Sequence, residues 1–218
     1  MGGTVPGGAQ ARYLTGLTGK PRPRVAFVPT ATGDADSTVL NFYSVYAPLA
    51  EITLVRFFQR TARDLRAVAL EQDLIYVGGG NTKSMLAVWR EYGFDDVLAD
   101  AYEKGIVLCG TSAGSICWFE EGVTDSFADV LTPLKCLGFL AGSNCPHYDS
   151  ELARRPSYHQ LVRDKLIGPG IAADDGVALH FTDGRLERVL SATASAEAYR
   201  VELAGSNVKE TVLPCTRL

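Results

Sequence analysis

The chain has no run of 18 consecutive apolar residues, so no segment of it reads as a membrane-spanning helix. It has no basic excess either: 21 Lys and Arg stand against 25 Asp and Glu, a net charge of −4. A nucleic-acid binder usually carries a basic stripe, so that class is set aside. The opening residues, MGGTVPGGAQARYLTG, lack the basic and apolar segments of a secretory signal, and a cytoplasmic location is expected. Five cysteines, an odd number without a CxxC pair, argue against a disulfide framework and against a zinc site. No metal and no cofactor are expected. Histidine is scarce, with three in 218 residues, so a general base has few places to be.

What is present fits a globular protein. The 46% hydrophobic content and the length suit a single core, and residues 1–218 are read as one α/β domain. Short β-branched runs alternate with helical periodicity: RVAFVPT (24–30), ITLVRFF (52–58), DLIYV (73–77) and IVLC (106–109) as strands. Helices are expected after Ser37, which could cap the first, and over 62–72, 83–92 and 94–104. Such alternation predicts a mostly parallel sheet flanked by helices, with ligands at the carboxyl ends of the strands. The second half reads differently. Residues 131–142 are apolar and unassignable, Pro156 opens a helix to Ile167, and GVALHF-TDG-RLERVLS is a hairpin. AYRVEL (198–203) and VKETVL (208–213) add two strands, making the C-terminal part antiparallel and β-rich.

Two glycine loops fall at strand ends. In VLCGTSAGSICW, Ser112 sits between small residues, as a nucleophile on a tight strand-to-helix turn would, with the Ala113 amide behind it as an oxyanion donor. A plain helix N-cap is the duller account of the same serine. VGGGNT has neither GxGxxG spacing nor a Walker lysine, which weakens a phosphate cradle. It can bring the Gly80 amide to a bound carbonyl, or be only a tight turn. His147 lies in the loop GSNCPHYDS with no packing reason to be there, whereas His159 on a helix and His180 on a strand have structural explanations. The acid that would orient it is open: Asp174 and Asp175 in AADDG, or Asp125 and Asp129 in VTDSFADV. Asp149 is close in sequence and more suited to shaping the loop. Arg154 and Arg155 at a helix start suggest either a bound anion or a solvated pair.

The order VGGGNT, GTSAGS, CPHYDS resembles the peptidase E or aspartyl dipeptidase family, relatives of the cyanophycinases, from about Arg24 to Leu203. The resemblance implies a fold similar to the class I glutamine amidotransferases, a homodimer and a metal-free serine exopeptidase acting on short peptides. Ser112 matches its nucleophile, His147 its histidine, and Asp175 its carboxylate, one methylene shorter where the family often has Glu. Asp174 and Asp125 match more loosely. Gly80 and Ala113 match the oxyanion donors. Arg155 falls near the family's arginine for a substrate aspartate, and Asn81 and Tyr158 join it as candidate substrate contacts. An Asp-X dipeptidase is therefore expected, with a β-aspartyl or broader peptidase, or a catalytically silent binding module, as the alternatives. Glutamine amidotransfer is disfavoured, because Cys109 and Cys117 lie outside the nucleophile position.

Overall fold

The computed structural model describes residues 8–59, 62–127 and 130–218. The chain divides between Gly114 and Ser115 into two compact units. No helix among the described residues is long and apolar enough to cross a membrane.

The first unit is built on four parallel strands: β1 (Arg24–Val28), β2 (Glu51–Leu54), β3 (Leu74–Val77) and β4 (Val107–Gly110), in the order β2-β1-β3-β4. All four residues of β3 are fully buried, as expected of a central strand covered on both faces. Among the described residues five helices accompany the sheet: α1 (Gly8–Gly16), α2 (Asp36–Tyr46), α3 (Leu65–Leu70), α4 (Thr82–Tyr92) and α5 (Phe94–Glu103). The core between sheet and helix is aromatic. Phe42 and Tyr46 on α2 reach it from one helix face, and Phe27 stacks on Phe42 with ring centroids 4.0 Å apart.

Several boundaries differ from expectation for local reasons. Helix α2 begins at Asp36 after Ala35, so Ser37 lies inside the first turn and does not cap it. Asp64 caps α3 by accepting the Ala67 amide, which trims the helix expected over 62–72. The strand expected over 52–58 stops at Leu54, because Asp34 captures the amides of Phe57 and Phe58 at 2.6 and 2.8 Å.

The second unit holds a six-stranded mixed sheet. Its strands are β5 (Phe119–Thr124), β6 (Thr132–Lys135), β7 (Leu140–Cys145), β8 (Gly170–Ala173), β11 (Ala198–Ala204) and β12 (Asn207–Leu213), in the order β12-β11-β8-β7-β5-β6. The segment 131–142 resolves into β6 and the start of β7. Strands β5, β7 and β8 run parallel, while β6, β11 and β12 pair antiparallel. The hairpin β9 (Val177–Thr182) and β10 (Arg185–Ser191) joins β13 (Cys215–Arg217) in a smaller sheet. Its two-residue turn, Asp183-Gly184, has φ of +49° and +74°, the geometry that suits an Asp-Gly hairpin turn. Helix α7 (Arg154–Arg163) opens two residues before Pro156, where Glu151 accepts the Arg154 amide, and packs on β11 and β12.

A short helical turn, α6 (Ala113–Ile116), follows β4. A Cβ built on Gly110 would stand 2.5 Å from both the Val77 and Gly114 carbonyl oxygens, and one on Gly114 would stand 2.2 Å from the Val77 oxygen. No rotamer relieves a clash with backbone. Gly114→Ala is expected to destabilise the protein by about 2–3 kcal/mol through forced backbone shifts. Gly33→Ala, with φ of +65° but nothing within 4 Å, is expected to cost only about 1 kcal/mol. Urea denaturation of both variants measures the difference.

Candidate active site

The first unit delivers two loops from adjacent strands. Strands β3 and β4 pair in parallel with Val77 opposite Gly110, so the residues beyond them emerge at one edge. After β4 the backbone turns sharply, and Ser112 takes φ of +54°. A non-glycine residue in the left-handed region is strained by about 1–3 kcal/mol and is typical of nucleophile turns. The Ala113 amide opens α6 and therefore has no acceptor inside that turn. After β3, a Cβ on Gly79 would lie 3.1 Å from the Ser112 Cβ and 3.7 Å from its Oγ, so glycine at 79 keeps the serine uncrowded. Gly80 has φ of +133°, and a Cβ there would strike the Ala31 carbonyl oxygen at 2.3 Å. Neither Gly79 nor Gly80 donates its amide to a described residue, whereas the neighbours do: Gly78 to Val28 and Asn81 to Ala31. Asn81 has a local task. Its side chain accepts the Ser84 amide at 2.8 Å and caps α4.

The second unit repeats the device. Strands β7 and β8 are parallel neighbours with Cys145 opposite Ala172, so His147 and Asp175, each just past its strand, come out side by side. The His147 Nδ1 lies 2.9 Å from the Asp175 Oδ1, with the imidazole 18% exposed and the carboxylate 32%. His147 has φ of +58°, a second strained turn. The Tyr148 amide donates to Ala173, and the Asp175 amide donates to the Asp149 carboxylate at 2.8 Å, so the two loops are tied at both ends. Asp149 therefore shapes the loop, as its position suggests.

Asp174, next to Asp175, points elsewhere. It is buried, and its Oδ2 accepts the Glu197 amide at 2.9 Å. Burial pushes its carboxyl above the ordinary range, the Glu197 amide opposes this, and nearby Asp149 adds to it. It holds β11 to the end of β8 and is not on the imidazole. Asp125 is exposed and makes no hydrogen bond to a described residue. Asp129 lies outside the described residues.

The substrate candidates separate in the same way. Tyr158 is fully buried with its hydroxyl 2.6 Å from Ser143 Oγ, so it is a core residue and not a surface for a peptide. Arg154 is buried too, held by Glu151 at 2.7 Å and by the Val123 carbonyl at 2.9 Å. Arg155 is exposed. Its guanidinium lies over the rings of Tyr148 and Tyr199, 4.7 and 4.6 Å from their centroids, and 3.4 Å from the Glu210 carboxylate. Glu210 also accepts from the Tyr148 hydroxyl at 2.6 Å and lies 2.9 Å from His159 Nε2. His159 is thus a partner of Glu210, and His180 sits in the β9–β10 ladder opposite Arg188. Glu210 was missed by sequence reasoning. It lies 55 residues beyond Arg155, and its only local signal is an inward position in the alternating burial of β12. Among the described residues no group of three or more His, Cys, Asp or Glu is placed to hold a metal ion.

The parallel sheet with its serine turn, and the antiparallel strands of the second unit, define an α/β protein of class I glutamine amidotransferase-like architecture. The chain belongs to peptidase family S51, the peptidase E family, whose sequence pattern matches residues 7–189, and it is a peptide-hydrolysing enzyme. It is 47% identical over 204 residues, 93% of this chain and 88% of the other, to a Bacillus subtilis (strain 168) protein named uncharacterized peptidase YgaJ. Its fold is similar to a crystal structure of a peptidase from an acI-B1 Actinobacterium, with a TM-score of 0.68 and 15% identity over 95% of this chain and 89% of that one. A putative peptidase E from Listeria monocytogenes EGD-e gives a TM-score of 0.55 and 16% identity over 94% and 93% of the two chains.

The structural assignment of Tyr158 is open to test. Tyr158→Phe removes a buried hydroxyl and leaves Ser143 with the Gly168 carbonyl as its remaining partner. A loss of about 1–2 kcal/mol in urea unfolding is expected, with KM for a dipeptide unchanged. A large rise in KM at unchanged stability would return Tyr158 to the substrate.

Proposed function

We propose that this enzyme is a serine exopeptidase that removes the N-terminal residue of short peptides, with no metal and no cofactor, and that its two units work as one peptidase domain in a cytoplasmic homodimer. The observation that carries the reading is the 2.9 Å pairing of His147 Nδ1 with Asp175. With Nδ1 donating its hydrogen to the carboxylate, the basic lone pair stands on Nε2, the atom a general base needs.

In this reading the Ser112 hydroxyl attacks the carbonyl of the first residue while His147 Nε2 takes its proton. The tetrahedral intermediate places its negative oxygen on the amides of Gly80 and Ala113. Collapse breaks the C–N bond as His147 returns the proton to the leaving amine. Water then repeats the sequence on the acyl-enzyme and frees Ser112. Asp175 keeps the imidazole in the useful tautomer and stabilises its cation throughout. The strained φ at Ser112 supports this assignment, since an ordinary N-cap serine has no need of a left-handed backbone. A donor of the oxyanion pair contributes about 3 kcal/mol to lowering the barrier. Arg155, the expected contact for a substrate aspartate, already has the Glu210 carboxylate beside it.

Ser112→Ala is expected to lower kcat/KM on dipeptides by on the order of 10⁵-fold or more with the fold intact. A fluorophosphonate should label Ser112 in the unaltered enzyme. Unchanged turnover by the variant would end the proposal. Asp175→Asn keeps the shape but allows the wrong imidazole tautomer, and kcat is expected to fall by about 10³–10⁴-fold. The measurement is single-turnover hydrolysis followed by the release of free amine.

A further inference from the structure

His147 and Asp175 pair because two loops of the second unit are held beside each other, and the ties that hold them are of two kinds. The His147 loop is fixed by its backbone. The Tyr148 amide donates to the Ala173 carbonyl at 3.2 Å, and the Glu151 amide donates to the His147 carbonyl at 3.1 Å. Bonds of this kind form whatever side chains the loop carries. The Asp175 loop adds two side-chain ties. Asp174 reaches inward, and its Oδ2 accepts the Glu197 amide at 2.9 Å. Asp149 reaches across from the His147 loop, and its Oδ1 accepts the Asp175 amide at 2.8 Å.

Of these ties, the one from Asp149 acts on Asp175 itself. A carboxylate on a main-chain amide is a charge-assisted bond, stronger than a neutral pair. It fixes the point from which the Asp175 side chain starts. That point matters because aspartate is short. A single sp³ torsion separates its backbone from the rotation of the carboxyl group, so a shift of the backbone passes on to the carboxylate almost undiminished. The Asp175 Oδ1 stands 2.9 Å from His147 Nδ1. An outward displacement of about 0.5 Å takes such a pair past the usual hydrogen-bond range. Asp149 itself is exposed and packs in neither core cluster of this unit. Its replacement removes the tie without opening a cavity.

We infer that Asp149 is a positioning residue for the proposed hydrolysis: by accepting the Asp175 amide it sets the Asp175 carboxylate against His147 Nδ1 and so keeps Nε2 free to take the serine proton. The inference rests on the exopeptidase reading above and deepens it. The residue that supplies the base and the residue that aims its partner thus belong to one turn, closed by the bond from Glu151 to His147.

Asp149→Ala and Asp149→Asn in the full chain test it. Alanine removes the acceptor, and kcat on a dipeptide should fall by about 10–100-fold with KM changed by less than about threefold. Asparagine keeps an oxygen for the amide without the charge, and kcat should return to within about threefold of the unaltered enzyme. Nitrogen-15 spectra of histidine-labelled protein supply a signature that lost stability alone would not produce. The His147 imidazole should carry its hydrogen on Nδ1 in the unaltered and asparagine proteins, and should become a mixture of tautomers in the alanine protein. An unmoved kcat in a folded alanine variant, an asparagine variant as impaired as the alanine one, or an unchanged His147 tautomer would overturn the inference. If the alanine variant does not fold, hydrogen exchange in the unaltered protein decides: the Asp175 amide should be protected, and exchange at the rate of a free amide overturns the inference. No turnover of any dipeptide together with no fluorophosphonate labelling of Ser112 sinks the exopeptidase reading instead, and the tautomer measurement still decides whether Asp149 aims Asp175.

Discussion

The serine turn depends on how tightly two backbone segments crowd the Val77 carbonyl. Strand β4 ends against it at Gly110, and the helical turn that follows comes back to it at Gly114. Neither position has room for a Cβ, so the chain between them must reverse within three residues. The residue at the apex, Ser112, is left with φ of +54°. That strain is tolerable because the buried strand β3 beneath is rigid and supplies the fixed carbonyl. The glycines of GTSAG therefore do mechanical work on a serine that they do not touch chemically. Gly79 completes the arrangement by leaving the hydroxyl uncrowded.

A second constraint of the same kind governs the imidazole. Parallel neighbours release their chains at the same edge, and β7 and β8 release His147 and Asp175 there. Two adjacent aspartates then divide the labour by direction alone. Asp174 turns inward to the Glu197 amide, where burial raises its carboxyl and disfavours its ionised form. Asp175 turns outward to the imidazole, and its own amide is anchored on Asp149.

The sequence carries the local half of this structure and hides the remote half. Buried strands such as LIYV are legible because continuous apolar, β-branched runs have few other uses. The Asp-Gly hairpin is legible because its turn type demands those residues. Strand ends are less so. The loss of residues 55–58 from β2 is caused by Asp34, twenty-odd positions away, whose carboxylate takes two amides from the strand path. Residues 131–142 resist assignment because β6 is an edge strand with only partial burial and β7 carries glycine and polar residues inward, Ser143 and Asn144 among them. Asn144 is buried because it accepts from Ser115 and donates to the Ile171 carbonyl, a pairing that no periodicity announces. In the candidate site, His147 stood out by its place in a loop beyond an apolar run, whereas the choice of Asp175 among four aspartates came only from the family resemblance. Tyr158, a candidate substrate contact by sequence, is instead a core residue whose buried hydroxyl is spent on Ser143, a remote pairing that no local pattern announces.

The balance at Arg155 sets a limit on what family membership can say. The S51 pattern ends at residue 189, whereas Tyr199 and Glu210 lie on the two strands after it. The matched part of the chain contains the serine turn, the glycine loop, the imidazole and its carboxylate. The charge on the accessible arginine is settled by a residue on an edge strand outside that part. An edge strand tolerates substitution because one side of it has no ladder to maintain. Changing one inward residue of β12 from neutral to acidic needs no change in the sheet or the helix, yet it balances the charge of the Arg155 guanidinium. The strained turns are packed on parallel strands, whereas the carboxylate beside Arg155 comes from the antiparallel edge.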